Sequence, residues 1–315
     1  MCLDLETSLQ KKIDHKVNIG RSMINCRILG YLLHHAPNEE AAKTIVSEVV
    51  SCKNDVKLFD LGEKYYKCFI RAFRVNKGRT PIPSNHPSRP SFDTLADMIK
   101  GILEEAPRSH ATAKEQASLF IALLRDRFRC AITKDIDDPS ADKFPEISEE
   151  VERGGLRVCF THCAHIIPES TNWDLEKGSN KLPTELKGAN IHRLENVITM
   201  GSNVHTAFNR LDIWFSPTTE PNKYKLGTFK SRWFNILPEY VIFRTEDLIN
   251  LPVPKRDYLE LHATCAKVIH LSGAAEYIDK VSRQLEEMTV LSPEGTSADV
   301  LEHALWCAFS RAISV

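Results

Sequence analysis

One stretch, Cys130–Asp212, constrains the fold of this 315-residue chain more than any other. Leu156–Ile167 is a long β-prone run that closes on Ala164-His165-Ile166-Ile167-Pro168. The polar segment Thr171–Gly188, with its Gly and Pro, reads as a loop. Val197–Met200 is a second short strand, and Ser202-Asn203 offers a side-chain cap for a helix at Val204–Leu211. The order is therefore strand, loop, strand, helix. Upstream, Arg129–Thr133 reads as a short strand and Asp135–Asp142 as an acidic loop. Downstream, Ile213–Phe215 and Tyr224–Phe229 predict a hairpin across Ser216–Asn222, with a further strand at Tyr240–Arg244.

The flanks are helical. Ile24, Ile28, Tyr31, Leu32 and Ala36 recur at three- and four-residue steps. Asn38, followed by Glu39 and Glu40, predicts a capped helix start after Pro37. A second face follows at Ala42, Ile45, Val46, Val49 and Val50, and a third between Phe59 and Phe73. Asn76–Phe92 is rich in proline, which removes donors and disfavours helix before it, so it reads as a linker. Helices resume at Ser91–Glu105 and Ala111–Phe128. After Pro252 and Pro254, a stripe from Leu261 to Leu285 is interrupted near Gly273, and Val300–Ile313 is a last helix. The division expected is a helical region 1–75, a basic linker 76–92, a central domain 93–250 and a C-terminal helical region 251–315. The fold class is α+β.

Composition sets the outer limits. A hydrophobic fraction of 42% suits a globular core, and no apolar run is long enough to span a bilayer, so no membrane partner is expected. The acidic start carries no secretory signal, and nine scattered cysteines do not form a disulfide framework. The compartment implied is intracellular, cytoplasm or nucleus. A net charge of −1 argues against a general nucleic-acid coat but leaves room for local basic surfaces. One such run spans Lys64 to Arg89 without an acid; a solvated face plus linker accounts for it as well. The other is Lys223, Lys225, Lys230 and Arg232, a candidate contact to phosphate backbone.

Four residues in the central stretch bear on chemistry: His165, Asn196, His205 and Asn209. His165, at a strand end, is of the right type for a general base, although a single histidine there also suits a core. His205 and Asn209 are four apart, so they share a helix face and can converge on one ion. Asn196, just before the second strand, can fix a loop by bonding backbone groups on both sides. The order His, Asn, His on strand, strand and helix meets the needs of a small metal-dependent phosphodiesterase site. Cys159, His162, Cys163 and His165 leave a structural zinc open, but no second Cys pair completes it. Nucleophile-elbow, dinucleotide and Walker sequences are absent.

AHIIP at Ala164–Pro168, EN at Glu195-Asn196 and H-x-x-F-N at His205–Asn209 together resemble the HNH endonuclease domain of the ββα-metal (His-Me finger) nucleases. CAIT at Cys130–Thr133 resembles the segment that opens many such domains, and the flanks resemble those of fungal proteins that carry one. The resemblance implies a ββα-metal module flanked by helical regions and a DNA substrate. It implies that His165 is the general base, Asn196 positions its loop, and His205 and Asn209 bind the metal, Mg²⁺ or Mn²⁺ with Zn²⁺ as the alternative. Two positions depart from the pattern. Ala164 stands where many relatives place a metal-binding acid or His, and Asn209 stands where an acid is common. Glu195 and Asp212 are the carboxylates nearest in sequence. A catalytically degenerate module that binds nucleic acid or protein is the alternative reading.

Overall fold

The computed structural model describes residues 2–14, 21–74, 120–168, 184–186, 188–288 and 297–313, with positions 290, 292, 294 and 295. The expected linker, the expected helix Ser91–Glu105, the first half of the expected helix Ala111–Phe128 and most of the expected loop Thr171–Gly188 lie outside these residues. The chain divides into two compact units. One comprises Met1–Asn76, Glu169–Lys181 and Leu261–Val315, and the other Lys77–Pro168 and Leu182–Glu260.

The chain opens with helices α1 (Cys2–Asp14), α2 (Ser22–His34), α3 (Glu39–Ser51) and α4 (Asp55–Tyr65), which runs through a π-helical turn, Tyr66–Ile70, into α5 (Arg71–Arg74). The central elements are β1 (Ile136–Asp137), α6 (Asp138–Lys143), α7 (Pro145–Gly154), β2 (Val158–Cys159), β3 (Thr161–His165), β4 (Val197–Gly201), α8 (Ser202–Asn209), β5 (Ile213–Pro217), β6 (Lys223–Thr228), α9 (Ser231–Phe234) and β7 (Tyr240–Ile242). Helices α10 (Arg256–Leu271), α11 (Ala274–Glu287) and α12 (Ala298–Ile313) follow.

In the helical unit, α3 starts as the sequence predicts: Asn38 Oδ1 accepts from Ala41 N at 2.8 Å. Gly62 of α4 lets the backbone of α2 approach, since a Cβ there would lie 2.6 Å from Asn25 O. The two ends of the chain pack together. Ile28, Leu29, Leu32 and Ile70 share the buried set with Val268, Ile269 and Ile278. Thr264 Oγ1 donates to His35 O at 2.7 Å. The described part of the first basic run, Lys64 to Arg74, meets acids here. Lys67 and Arg71 bind Glu302, and the buried Arg74 binds Asp279 at 2.8 Å. These arginines lie inside the unit, so they serve its packing.

The second unit holds the strands. Arg129–Thr133 is not a strand beyond a single bridge between Arg129 and Ile136. Cys130 N donates to Asp135 O and Lys134 N to Cys130 O, so a tight turn takes the groups a ladder would need. The acidic segment Asp135–Asp142 is likewise not a loop. Asp137 caps α6 by accepting from Ser140 N at 3.1 Å, and Pro139 occupies the first turn, where its missing N–H costs nothing. Leu156–Ile167 breaks at Phe160 into two strands with different partners. β2 runs parallel to β1, whereas β3 runs antiparallel to β4, with Thr161 opposite Gly201 and His165 opposite Val197. α8 follows β4 without a loop. Its N-cap is Gly201, which has no side chain to cap with, so the expected Ser202-Asn203 cap is not formed; Ser202 Oγ instead donates to Phe160 O at 3.0 Å.

The predicted hairpin is present as β5 and β6, joined by β7 into an antiparallel sheet. Rings of Phe208, Phe215, Tyr224 and Phe243 pack in its core. No described helix is long and apolar enough to cross a membrane.

Gly227 faces Trp214 across the β5–β6 ladder, and a Cβ at Gly227 would lie 2.3 Å from the indole. Gly227→Ala must therefore displace a ring packed against Phe229 at 4.9 Å. A loss of about 1–3 kcal/mol is expected, read as a lower urea midpoint at unchanged m-value; an unchanged midpoint would contradict this packing.

Candidate active site

The site grows from the β3–β4 ladder. Asn196 ends a 3₁₀ turn, Leu194–Asn196, and is completely buried. Its Oδ1 accepts from Ile167 N at 2.9 Å, and its Nδ2 donates to Ile167 O at 3.0 Å and to Ile191 O at 2.8 Å. Its backbone carbonyl accepts from Ile166 N at 2.8 Å. One amide thus holds both sides of the segment that follows His165, so the chain leaves β3 in a single conformation. An aspartate would repel Ile167 O and Ile191 O, so a neutral amide is what this position requires.

His165 is partly buried. Its Nε2 lies 3.0 Å from His192 Nδ1, with ring centroids 5.1 Å apart. Burial, then the neighbouring His192 and His205, push its pKa down to about 3. His205, on α8, is 8% exposed, and burial followed by the charge of His162 lowers its pKa to about 4. The His162 and His205 rings are 5.5 Å apart, and His162 Nε2 meets Ser202 Oγ at 3.0 Å. Both key imidazoles are therefore neutral at physiological pH, each with a lone pair for a proton or a metal.

Helical spacing brings Asn209 and His205 together, with 2.9 Å between Asn209 Nδ2 and His205 Nε2. With the carboxamide turned so that Oδ1 faced the same point, this pair could offer a cation two neutral donors. That suits a hard divalent ion that fills its shell with water and substrate oxygens. Among the described residues no three His, Cys, Asp or Glu side chains converge as a cation cage, so Cys159, His162, Cys163 and His165 do not assemble the zinc site left open by sequence. The nearest carboxylates in sequence have other partners. Glu195 binds Arg193 at 2.7 Å, and Asp212, 1% exposed, is met by Arg232, Arg210 and Lys230 at 3.5, 3.7 and 4.0 Å.

The four basic candidates differ in what surrounds them. Lys223 pairs with Glu220 and lies over the Tyr240 ring, while Lys225 pairs with Glu239 at 3.4 Å. Lys230 and Arg232 share the Asp212 carboxylate. Two residues that sequence reasoning did not place in the site are His192 and His162. His192 sits in an irregular 3₁₀ segment with no periodicity to flag it, and His162 attracted notice only as a zinc ligand.

Residues 130–216 match the HNH_2 family of HNH endonucleases. The chain thus carries an HNH endonuclease domain, a type that generally uses a divalent metal and acts on nucleic acid, between helical flanks in an α+β fold. No curated protein and no solved structure matches the chain significantly.

Two measurements probe this geometry. Asn196→Ala strands Ile167 N and two carbonyls, and a loss of roughly 3 kcal/mol or more is expected in urea unfolding. The second follows from the depressed imidazoles. The fold favours neutral His205, so the unfolded chain takes up the proton first as pH falls. Stability is complete above about pH 6.5 and declines towards about pH 4, by on the order of 3 kcal/mol from His205 alone. Urea midpoints across that window should fall with acid, and the slope should shrink in His205→Gln.

Proposed function

We propose that this HNH endonuclease domain hydrolyses DNA phosphodiester bonds with one divalent cation. His165 is the general base, Asn196 its positioning residue, and His205 and Asn209 the protein's donors to the cation. The observation that carries this reading is the Asn196 clamp on Ile167 and Ile191. It fixes the base at a strand end, near enough to His205 for the two imidazoles to influence each other.

His165 enters the reaction unprotonated and takes a proton from the attacking water. A phosphodiester anion beside it favours the imidazolium, which raises its basicity once substrate is bound. The hydrogen bond to His192 limits which nitrogen acts. Either His165 donates through Nε2 and accepts at Nδ1, or the contact opens and frees Nε2. A bound Mg²⁺ or Mn²⁺, with Zn²⁺ as the alternative, supplies charge stabilisation at the phosphoryl and leaving oxygens. Lys223, Lys225, Lys230 and Arg232 are the proposed contacts to the DNA backbone, which position it without reading sequence.

One observation favours a second reading. Nε2 of His165 and Nε2 of His205 are engaged by His192 and Asn209, and among the described residues no carboxylate completes a cation site with them. A degenerate HNH fold that binds without cutting would have this appearance.

Plasmid nicking separates the two. Wild-type protein should nick in Mg²⁺ or Mn²⁺ and stop in EDTA, and His165→Ala should lose on the order of a hundredfold or more in rate while remaining folded. Metal-independent nicking, or full activity in His165→Ala, would sink the mechanism. Folded wild-type protein that binds plasmid and single-stranded circular DNA in Mg²⁺ and leaves both intact would establish the second reading. In an active enzyme the acid limb of kcat/KM should fall below about pH 5, with the limb of kcat at higher pH, because substrate raises the His165 pKa.

A further inference from the structure

We infer that the turn after β6, Phe229 to Leu237, is a landing surface for single-stranded DNA. The inference deepens the nuclease reading by naming the form of the substrate, and it rests on that reading only for its link to cleavage. Three features of the turn carry it.

The first is charge. Lys230 Nζ and Arg232 Nη2 approach the Asp212 carboxylate at 4.0 and 3.5 Å, and Arg210 shares it at 3.7 Å. Asp212 is 1% exposed, whereas the side chains of Lys230 and Arg232 are 39% and 62% exposed. The anion is inside and the cations are outside, so the surface offered to solvent is positive. Lys223 and Lys225 differ here, since each has a glutamate of its own.

The second is the aromatic and apolar surface set among these cations. Phe229, Phe234 and Ile236 are 47%, 65% and 62% exposed. The Arg232 guanidinium lies over the Trp233 ring, 5.5 Å from its centroid. The third is rigidity. Thr228 Oγ1 donates to Asp212 O at 2.7 Å and accepts from Lys230 N at 3.0 Å, while Leu237 is buried and its N donates to Trp233 O at 3.0 Å. The rings are thus presented on a fixed turn, and little order has to be imposed on them when they bind.

Exposed rings beside cations on a fixed support suit an unpaired strand, whose bases offer π-faces and whose phosphates offer charge at every step. A duplex hides the base faces in its stack and presents phosphates and groove edges, so it would use the cations and leave the rings idle. An apolar protein partner would have to desolvate Lys230 and Arg232 to cover Phe234. The turn also lies near the proposed chemistry. Asp212, which anchors it, is three residues beyond Asn209, a separation of at most about 11 Å between Cα atoms.

The test is fluorescence anisotropy in EDTA, with one labelled DNA oligonucleotide presented single-stranded or as its duplex. Wild-type protein should bind the single strand more tightly. Phe234→Ala should weaken single-strand binding roughly five- to a hundredfold and duplex binding less than about twofold, and Phe234→Trp should restore it. Arg232→Ala should weaken both forms and reduce the single-strand salt slope by about 0.7. Equal affinity for the two forms, or an unchanged Phe234→Ala, would overturn the inference. Since no cleavage is measured, the two proposals fail separately. A protein that prefers single strands yet never nicks keeps this inference and loses the nuclease reading, and a nicking protein indifferent to strandedness does the reverse.

Discussion

The buried guanidinium of Arg125 is the interaction on which the strand-bearing unit depends. Its side chain has no exposed surface, and Asp126 neutralises it through two oxygens at 2.9 and 3.0 Å. Its remaining donors reach Leu194 O, Val197 O and Pro252 O, and Asp126 Oδ2 accepts from Thr199 N. One ion pair thus ties a helix end, the turn before β4, β4 itself and the chain beyond β7. Breaking such a pair from one side leaves an uncompensated buried charge, at a cost of about 3–5 kcal/mol. Leu194 and Val197 bracket Asn196. Arg125 therefore fixes the turn from behind while Asn196 fixes the His165 segment in front, and the candidate site inherits its geometry from a core ion pair.

Charge is arranged in two neighbouring but opposite ways. Around His165 and His205 no carboxylate completes a cation site among the described residues, and burial keeps the imidazoles neutral. A few residues on, it buries the carboxylate of Asp212 and surrounds it with cations. An acid placed on Asn209 would hold a metal more tightly, but it would also raise the pKa of His205 and favour its protonation. A neutral pair leaves His205 unprotonated and, in the proposed role, would bind metal weakly, so occupancy would depend on the phosphate oxygens that arrive with substrate.

Much of this was legible in the sequence because it is local. Asn38 before two glutamates gives the capped start of α3, and the two apolar runs around Ser216–Asn222 give the β5–β6 hairpin. The Asn196 clamp follows from an amide placed before a strand. What was missed depended on partners distant in the chain. Arg129–Thr133 has strand-like residues, yet its backbone groups turn inward to Asp135 and outward to Thr199. Asp135–Asp142 looks like a solvated acidic loop until Asp137 is seen capping α6 and accepting from Thr161 Oγ1 at 2.6 Å. His192 carries no local signal at all, and only the fold brings it to His165.

By itself the sequence determined the kind of site: a strand-end imidazole, an amide to hold its loop and a helical His/Asn pair. Residue type and short spacing set these, and they act within a few residues of one another. Only the tertiary structure decided that the two ends of the chain pack as one unit, that Arg71 and Arg74 of the first basic run are consumed inside it, and that Lys230 and Arg232 turn on Asp212. The physical reason is that a charge or a donor is defined by what it meets, and for these side chains the partner lies far away in the chain.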